Sequence, residues 1–250
     1  SYVWAPYRDQ DAIPIFDTAQ LDFSYAQMFT ENQFIGGDRV NDANQLTLAF
    51  TTRFIEADSG LERLQVTLGQ RYYFSSQLVT LPGVAPRTRN ATDLLVDASG
   101  QITNDWRFYT SWQFDTENSN TISRNIGASY RPAPGRTLNF GYRYTDQSTD
   151  QIDISAQWPL SQRWYGVFRY NYSFLDEKLI EGLAGLEYNG GCWAIRGVVQ
   201  RLATKEDQST DALFFQLELN GMGRIGINPL DVLKQSVPGY RPSNELEQMP

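Results

Sequence analysis

Few residues of this 250-residue sequence could do covalent chemistry. It has one cysteine, Cys192, and no histidine, which excludes Ser-His-Asp and Cys-His mechanisms and histidine-rich zinc sites from within the chain. We therefore predict no catalytic residues, no metal site and no cofactor. Cys192 follows a tight turn in the stretch YNGGCWAIR. A lone cysteine is usually a buried small hydrophobe, and in an exported chain it can instead bond to an unseen partner.

The charged side chains are the other candidates for function. The formal net charge is -8, and only three of the 21 basic residues are lysine, the rest being arginine. An acidic balance without a basic run argues against nucleic acid as a partner.

From residue 44 onward, apolar and polar residues alternate with period two, and this pattern predicts the elements that position the charged residues. Apolar and aromatic residues take one set of positions and polar residues the other, as in LTLAFTTRF, WRFYTSWQF and WYGVFRYNYSF. This period is typical of strands with one apolar and one polar face. The segments are about 10 to 14 residues long, beyond the usual 5 or 6 of a globular strand.

The connections between these segments alternate in character. One set is tight: 58–60, 104–105, 132–135, 159–162 and 189–191. The other set is longer and polar, with 175–178 as a short exception: 76–91, 115–121, 145–151 and 203–211. Long strands joined in this way favour an all-β fold, an antiparallel transmembrane outer-membrane β-barrel, over a soluble β-sandwich. No apolar run is long enough for a spanning helix.

The aromatic residues support two belts, one at each membrane interface. Trp106, Trp158, Trp164 and Trp193 lie beside tight turns. A second set lies near the longer connections: Tyr72, Phe74, Phe114, Tyr144, Tyr172 and Phe174.

Most strand arginines fall on the polar face, where a wet lumen would let them pair with carboxylates such as Asp153. The predicted lumen-facing arginines are Arg53, Arg63, Arg71, Arg107, Arg143 and Arg169. The alternative is an ordinary solvated face. Arg124 and Arg201 break the phase and fall on the apolar side, where they could meet anionic headgroups or simply reflect irregularity of an edge strand.

Four segments follow from these patterns: residues 1–6 end a barrel strand, 7–43 form a long extracellular or lumenal loop, 44–220 form transmembrane strands, and 221–250 form a periplasmic tail. Leu21, Tyr25 and Met28 have helical spacing, although Leu21, Phe23 and Tyr25 also suit a strand. In the tail, we predict a short helix from Pro229 to Lys234 and a poorly ordered end. Because residues 1–20 lack a signal peptide, we expect that Ser1 is not the native start.

A count of about twelve crossings, an even number, puts the tight turns, Cys192 and the C-terminus on the periplasmic side.

Five motifs of the sequence resemble the C-terminal half of the LptD barrel. In order, they are PYRDQ, FIGGDRVNDANQLT, GQRYYF, CWAIR and LELNGMGRIG. LptD proteins form an outer-membrane family for lipopolysaccharide assembly. The first two motifs supply the candidate lumenal-loop residues: Tyr7, Arg8, Asp9, Gln10, Asp38, Arg39, Asn44 and Gln45.

The resemblance implies a partial barrel, about twelve strands of a larger one. It implies lipopolysaccharide as the cargo, with its lipid leaving through a lateral seam beside the last strand and its sugars passing through the lumen. Implied partners are the lipoprotein LptE in the lumen, an N-terminal periplasmic jellyroll of the same protein, the LptA bridge and the barrel-assembly machinery during folding. Cys192 would hold an interdomain disulfide to a cysteine outside this chain.

By the same resemblance, the strand from Asp211 to Asn220 is one side of the seam. Its outward residues are Leu213, Phe215, Leu217 and Leu219, and Gln216 faces inward. After it, Gly221 and Gly223 would let the chain bend away or would form a simple turn.

Three other functions compete with lipopolysaccharide assembly. A porin or hydrophobic-solute channel is the first alternative, and an outer-membrane lipid hydrolase, which needs a general base, is disfavoured by the missing histidine. A soluble β-sandwich binding module is the last.

Overall fold

The predicted all-β fold is confirmed by a computed structural model that describes residues 1–21, 24–205 and 208–246. Its strands are β1 Tyr2–Ala5, β2 Ala19–Gln20, β3 Phe34–Ile35, β4 Ala43–Ile55, β5 Glu62–Tyr73, β6 Leu94–Gln101, β7 Trp106–Asp115, β8 Asn120–Ala133, β9 Arg136–Thr145, β10 Thr149–Pro159, β11 Trp164–Ser173, β12 Lys178–Asn189, β13 Trp193–Lys205, β14 Gln208–Leu219 and β15 Gly223–Gly226. Two short helices follow, α1 Leu230–Ser236 and α2 Ser243–Leu246. Among the described residues, no helix has the length and apolar character needed to span a membrane.

The strands form one antiparallel sheet of consecutive hairpins. Its order is β1, then β4 to β15 in sequence, while β2 and β3 pair only with each other. The twelve crossings predicted from the period correspond to β1 and β4–β14. The structure adds a thirteenth strand, β15, so the prediction that the strand ending near Asn220 is the last one is wrong. The glycines at 221 and 223 do not lead the chain away, because the intervening turn returns it to pair with β14.

Several connections predicted to be long are tight turns. Strand pairing continues through the polar residues that suggested loops, so β7 and β8 are separated by residues 116–119 and β9 and β10 by 146–148. Ser119, Gln147 and Glu177 each take a positive φ just before the returning strand, which is typical of short hairpin loops. Between β13 and β14, residues 206–207 lie outside the described part. The 74–93 connection is long, as predicted.

The chain divides into two compact units. The first comprises Ser1–Phe54, Gln65–Ala98 and Ser111–Ser123, and the second comprises Ile55–Leu64, Ser99–Thr110 and Arg124–Pro250.

In the first unit, the segment before β4 packs on the polar face of β4 and β5. Met28 is fully buried against Gly69, where a Cβ atom would overlap the methionine side chain. The helix expected around residues 20–30 is not present in its described part, because Ala19–Gln20 is extended and residues 25–29 form turns. Phe23 lies outside the described residues. A helix would have used the Met28 carbonyl for an internal hydrogen bond. In the turn conformation this carbonyl accepts from Arg71 instead.

In the second unit, the C-terminal segment packs on the polar face of the sheet. Leu230, Leu233 and Val237 of the α1 region are buried, together with Tyr240. They contact three apolar residues of adjacent strands: Val167, Leu183 and Val198. The described part of the tail therefore packs on the sheet, and the prediction of a poorly ordered end is wrong for these residues.

The predicted helix at Pro229 is confirmed, with its end two residues later than expected. Asn228 Oδ1 accepts a hydrogen bond from the Leu230 N–H group at 3.0 Å, so the asparagine caps the first turn. Lys234 lies in the last turn, where a cation interacts favourably with the helix dipole.

Replacement of Leu233 by alanine should detach α1 from the sheet. The side chain is fully buried, so the loss of contacts and the cavity left behind should cost about 2–5 kcal/mol of stability. The denaturant midpoint of the intact, detergent-solubilised protein measures this. Lys234→Ala, on the exposed side of the same helix, should change the midpoint little. Equal midpoints for the two variants would contradict the packing described.

Candidate functional site

The outward face of the second unit is apolar and exposed. Phe168, Leu213 and Phe215 are 44%, 70% and 55% exposed, although they belong to the long central strands. Monomeric soluble proteins rarely expose contiguous apolar surface of this extent. This face is suited to lipid contact.

Aromatic rings form two clusters at the strand ends beside the predicted tight turns. In the first, Tyr130 stacks between Trp106 and Trp158, with centroid distances of 4.7 and 6.5 Å. In the second, Tyr188 lies between the tilted rings of Trp164 and Trp193, at 5.0 and 5.2 Å. All four tryptophans of the predicted belt therefore contact a tyrosine ring at this end of the strands. At the opposite strand ends, Tyr172 contacts Tyr170 and Phe174.

The opposite face carries a first group of paired charges, the Arg169 cluster. The Arg169 guanidinium donates to both carboxylate oxygens of Asp153 on β10, at 3.1 and 2.6 Å, and to Glu181 on β12 at 2.7 Å. Glu181 also accepts from Gln200 on β13 and from Ser236 of α1. These bonds link four strands to the C-terminal helix.

A second group, the Arg196 cluster, lies nearer the tight turns. Arg196 is fully buried and donates to Glu187 on β12 at 3.2 Å and to Glu218 on β14 at 2.6 Å. It also donates to Gln216 and to Asn244 of α2. Arg224 of β15 donates to the other oxygen of Glu218. A buried guanidinium needs such partners, because an unpaired buried charge is strongly unfavourable.

Backbone groups of the tail complete the contact with this face. Gln157 exchanges two hydrogen bonds with the main chain of Arg241, at 2.6 and 3.0 Å. Asn189 donates to the Ser243 carbonyl, and Asn139 to the Pro238 carbonyl. Burial, with the negative charge of Glu187 beside it, raises the pKa of Tyr240 well above its usual range. The tail is thus held by polar contacts as well as by the apolar core.

The other predicted lumen arginines lie in different surroundings. Arg71 is buried and donates to the carbonyls of Met28 and Thr30, so it holds the segment before β4 instead of lining an open space. Arg53 bonds to Gln65 on the neighbouring strand, and Arg63 bonds to Glu56 in the tight turn. Arg107 and Arg143 are exposed.

The two phase-breaking arginines lie on the apolar face, as the period predicts. Arg201 pairs with Asp211 through two hydrogen bonds, at 2.7 and 2.8 Å. The Arg124 guanidinium lies over the Tyr142 ring, 5.0 Å from its centroid.

In the first unit, the two loop motifs contact each other. Gln10 of the first motif exchanges two hydrogen bonds with the main chain of Val40 in the second. Asp38 accepts from the N–H groups of Phe16 and Asp17, and these bonds lower its pKa. Arg39 is buried and donates to the Ile13 carbonyl. These motif residues fold the loop.

The remaining motif residues play lesser or different parts. Tyr7 and Arg8 are exposed, and Asp9 caps the Asp11 N–H group. Asn44 accepts from the Tyr2 hydroxyl across the β1–β4 pair. Gln45 is almost fully buried.

Cys192 is exposed in the turn between β12 and β13. Its carbonyl accepts from the Asn220 N–H group, which ties this turn to the end of β14. The interpretation of Cys192 as a buried small hydrophobe is therefore wrong.

The predicted seam residues have the expected orientation on β14, but β15 flanks part of this strand. Gln216 and Leu219 lie within the four residues that pair with β15. Leu213 lies before this short ladder, where the described chain provides only β13 as a partner.

The C-terminal contact was not predicted, although two features of the sequence indicate it. Leu230, Leu233 and Val237 have the spacing of one helix face. Val167, Leu183 and Val198 are apolar residues at polar-face positions of three adjacent strands. Together these exceptions indicate a helix packed on the polar face.

An antiparallel sheet of long strands, apolar and aromatic on one face and charged on the other, is the wall of an outer-membrane β-barrel. Comparison with known proteins gives the family. The family model for LptD, described as LPS transport system D, matches residues 1–164. The chain is 78% identical over 249 residues to the LPS-assembly protein LptD of Thiobacillus denitrificans. The aligned region covers 100% of this chain and 34% of that protein.

A second relative, the LPS-assembly protein LptD of Aromatoleum aromaticum, is 47% identical over 98% of this chain and 31% of its own length. This chain belongs to the LptD family. These matches confirm the resemblance drawn from the motifs. The chain spans about a third of the length of these relatives, which confirms the partial-barrel fold class.

Removal of Arg196 should destabilise the protein severely. Arg196→Met leaves the buried Glu187 without a guanidinium and Glu218 with Arg224 alone, and breaking a buried pair in this way costs about 3–5 kcal/mol. Denaturant midpoints in detergent provide the measurement.

Arg201→Met is the matched control, because its pair with Asp211 is exposed and its loss should change the midpoint little. Adding Glu187→Gln to Arg196→Met should recover part of the loss, because it removes the carboxylate that the first change leaves unpaired. A double variant less stable than the single variant would contradict the assignment of the cost to the unpaired carboxylate.

Proposed function

We propose that this chain forms part of an outer-membrane wall that delivers lipopolysaccharide to the outer leaflet. The cargo has acyl chains, which need an apolar path, and sugars and phosphates, which need a wet one. The single observation that carries the proposal is the sheet with one apolar face and one charged face, in a chain of the LptD family.

The lipid leaves by a lateral seam at the β14–β15 edge. Support for this position comes from the short ladder: among the described residues, β15 pairs with Gln216–Leu219, and one further bond joins the Ile227 N–H group to the Phe215 carbonyl. An edge held by few ladder bonds opens at a lower cost than one paired along its whole length. Leu213 and Phe215, outward and exposed, would border the acyl chains.

The sugars pass along the polar face, which we assign to the lumen. The predicted segments belong to the same proposal, except that the last strand extends to Gly226. The turns at 58–60, 104–105, 132–135, 159–162 and 189–191, together with Cys192 and the C-terminal segment, face the periplasm. In this arrangement the two aromatic clusters lie at the periplasmic interface.

The partners follow from the same proposal. LptE occupies the lumen, and the upstream jellyroll of the same protein receives lipopolysaccharide from the LptA bridge. The barrel-assembly machinery inserts the strands. Outside the tail contact, the exposed polar positions at Arg107 and Arg143 leave surface for a lumen partner.

A porin or hydrophobic-solute channel is less well supported. In the second unit, α1 and the tail cover polar-face residues from β9 to β14. A diffusion channel would keep such residues in contact with water.

Photocrosslinking residues placed at Leu213 and Phe215 in the intact protein should capture lipopolysaccharide in cells. The reason is that both side chains point outward beside the short ladder. Immunoblotting for lipopolysaccharide on the captured protein detects the adduct.

The control position is Phe214, which neighbours both residues but lies on the opposite face against α1. It should give no adduct with the lipid part. Equal capture at 213, 214 and 215 would contradict the seam, and no capture at any outward position would contradict the proposed function.

Cys192→Ser should abolish an interdomain disulfide and reduce lipopolysaccharide delivery. An exposed thiol in an oxidising compartment is available for pairing with a cysteine outside this chain. Non-reducing electrophoresis should show altered mobility of the variant, and the difference should vanish after reduction. Ser161→Ala, in another tight turn, should migrate as the unmodified protein. Identical non-reducing mobility of Cys192→Ser and the unmodified protein would refute the disulfide.

A further inference from the structure

The turn between β8 and β9 borders a cavity in the second unit that the strand contacts do not explain. It has a volume of about 330 Å³, within the range of small-molecule sites. The tail between α1 and α2 forms the other wall. Three arginines line the cavity, Arg131, Arg136 and Arg241, and the other described lining residues are uncharged. A lining of this composition is positively charged.

Arg131, near the end of β8, is placed by the tail. Its guanidinium packs against Gly239, where a Cβ atom would lie 2.8 Å from the Arg131 Cζ atom, so glycine leaves the room that this side chain occupies. The φ of +87° at Gly239 also favours glycine. The tail therefore limits where the Arg131 guanidinium can lie and keeps it beside the cavity.

The other two arginines are placed by neighbouring strands. Arg136 is the first residue of β9, and its guanidinium lies over the Trp158 ring, 5.8 Å from the ring centroid, in a cation–π contact. Arg241 belongs to the tail, and its main chain exchanges two hydrogen bonds with the Gln157 side chain, at 2.6 and 3.0 Å. Three separate elements thus bring arginines to one cavity.

The two arginines beside the turn are not neutralised within the described part of the chain. Among the described residues, neither Arg131 nor Arg136 forms an ion pair, and no carboxylate lines the cavity. Arg169 and Arg196, in contrast, each bond to two carboxylates. Like charges that line one cavity repel each other, and an anion between them removes this cost. The cavity is therefore suited to an anion.

The location of the cavity indicates which anion it meets. Trp158, over which Arg136 packs, belongs to the first aromatic cluster. Under the proposed function, on which the choice of leaflet rests, this cluster lies at the periplasmic interface, at the depth of the lipid headgroups. The anion available there is the headgroup phosphate, which guanidinium groups bind through paired N–H bonds.

We propose that this cavity binds the phosphate of an anionic phospholipid in the periplasmic leaflet. Arg131 and Arg136 donate to the phosphate oxygens, and Arg241 adds a third positive charge to the lining. Because the described lining offers no carboxylate for an ammonium group, a headgroup without a cation is preferred over a zwitterionic one.

The test is retention of short-chain phosphatidylglycerol by the intact, detergent-solubilised protein, measured by native mass spectrometry. The unmodified protein should retain phosphatidylglycerol in preference to phosphatidylcholine of the same chain length. Arg131→Gln combined with Arg136→Gln should weaken phosphatidylglycerol binding about tenfold, because the phosphate loses two charged hydrogen-bond donors. Both side chains are exposed, so the double variant should keep its fold.

Arg163→Gln is the matched control. It removes the same charge at the same ends of the strands, but Arg163 donates to the Tyr188 hydroxyl of the second aromatic cluster and lies outside the described cavity lining. This variant should retain phosphatidylglycerol as the unmodified protein does. Equal retention by all three proteins would overturn the proposal. An equal loss in the control and the double variant would also overturn it, because the effect would then be one of general surface charge.

Further measurements identify the source of the phosphate and separate this site from the proposed function. Displacement of phosphatidylglycerol by inorganic phosphate at equal concentration would overturn the lipid assignment, in favour of a site for free phosphate. Equal retention of phosphatidylcholine would overturn the preference for an anionic headgroup. Capture of lipopolysaccharide at Leu213 in a double variant that no longer retains phosphatidylglycerol would support both the site and the seam. Absence of capture at Leu213 in a protein that retains phosphatidylglycerol would reject the seam alone.

Discussion

The antiparallel ladder is the constraint on which the rest of the structure depends. In hydrocarbon, each N–H and C=O group must find its partner within the sheet, because no water is available. Consecutive hairpins meet this condition from β4 to β15. Once the ladder is fixed, the period of two sends alternate side chains to lipid and to the polar side. The outward rows of Phe, Leu and Trp follow directly from it.

The polar side poses a different physical problem, because charges there are taken out of water where the chain covers them. Arg196 and Glu187 are completely buried beneath the C-terminal segment, yet the guanidinium donates to Glu187, Gln216, Glu218 and Asn244. Such a cluster contributes little net stability but penalises any arrangement that leaves one member unpaired. The tail and the strands β12–β14 are therefore coupled. Rearrangement at the β14–β15 edge would also disturb α2, since Glu218 links Arg224 to Arg196, which donates to Asn244.

Much of the wall could be predicted from the sequence, and the errors have common causes. Strand identity, face and the aromatic belts depend on local alternation, which the sequence displays. The turn lengths at 116–119 and 146–148 could not be predicted, because polar residues at strand ends look like loops until their pairing is known. The candidate site was predicted unevenly: Arg169 lies among carboxylates as expected, whereas Arg71 serves main-chain carbonyls of a loop. The partners of Arg71, Met28 and Thr30, are 43 and 41 residues away in the chain, so the local pattern around Arg71 does not indicate them.

The sequence by itself determined which side chains share a face, since the period of an extended chain admits only two directions. It also determined the family, through motifs that are specific in order and spacing. Only the tertiary structure decided what covers each face. The tail on β9–β14 and the packing of Met28 and its neighbours on β5 depend on contacts between residues distant in the chain. Such contacts are determined by packing and hydrogen bonding in three dimensions, so they cannot be inferred from the local period of the sequence.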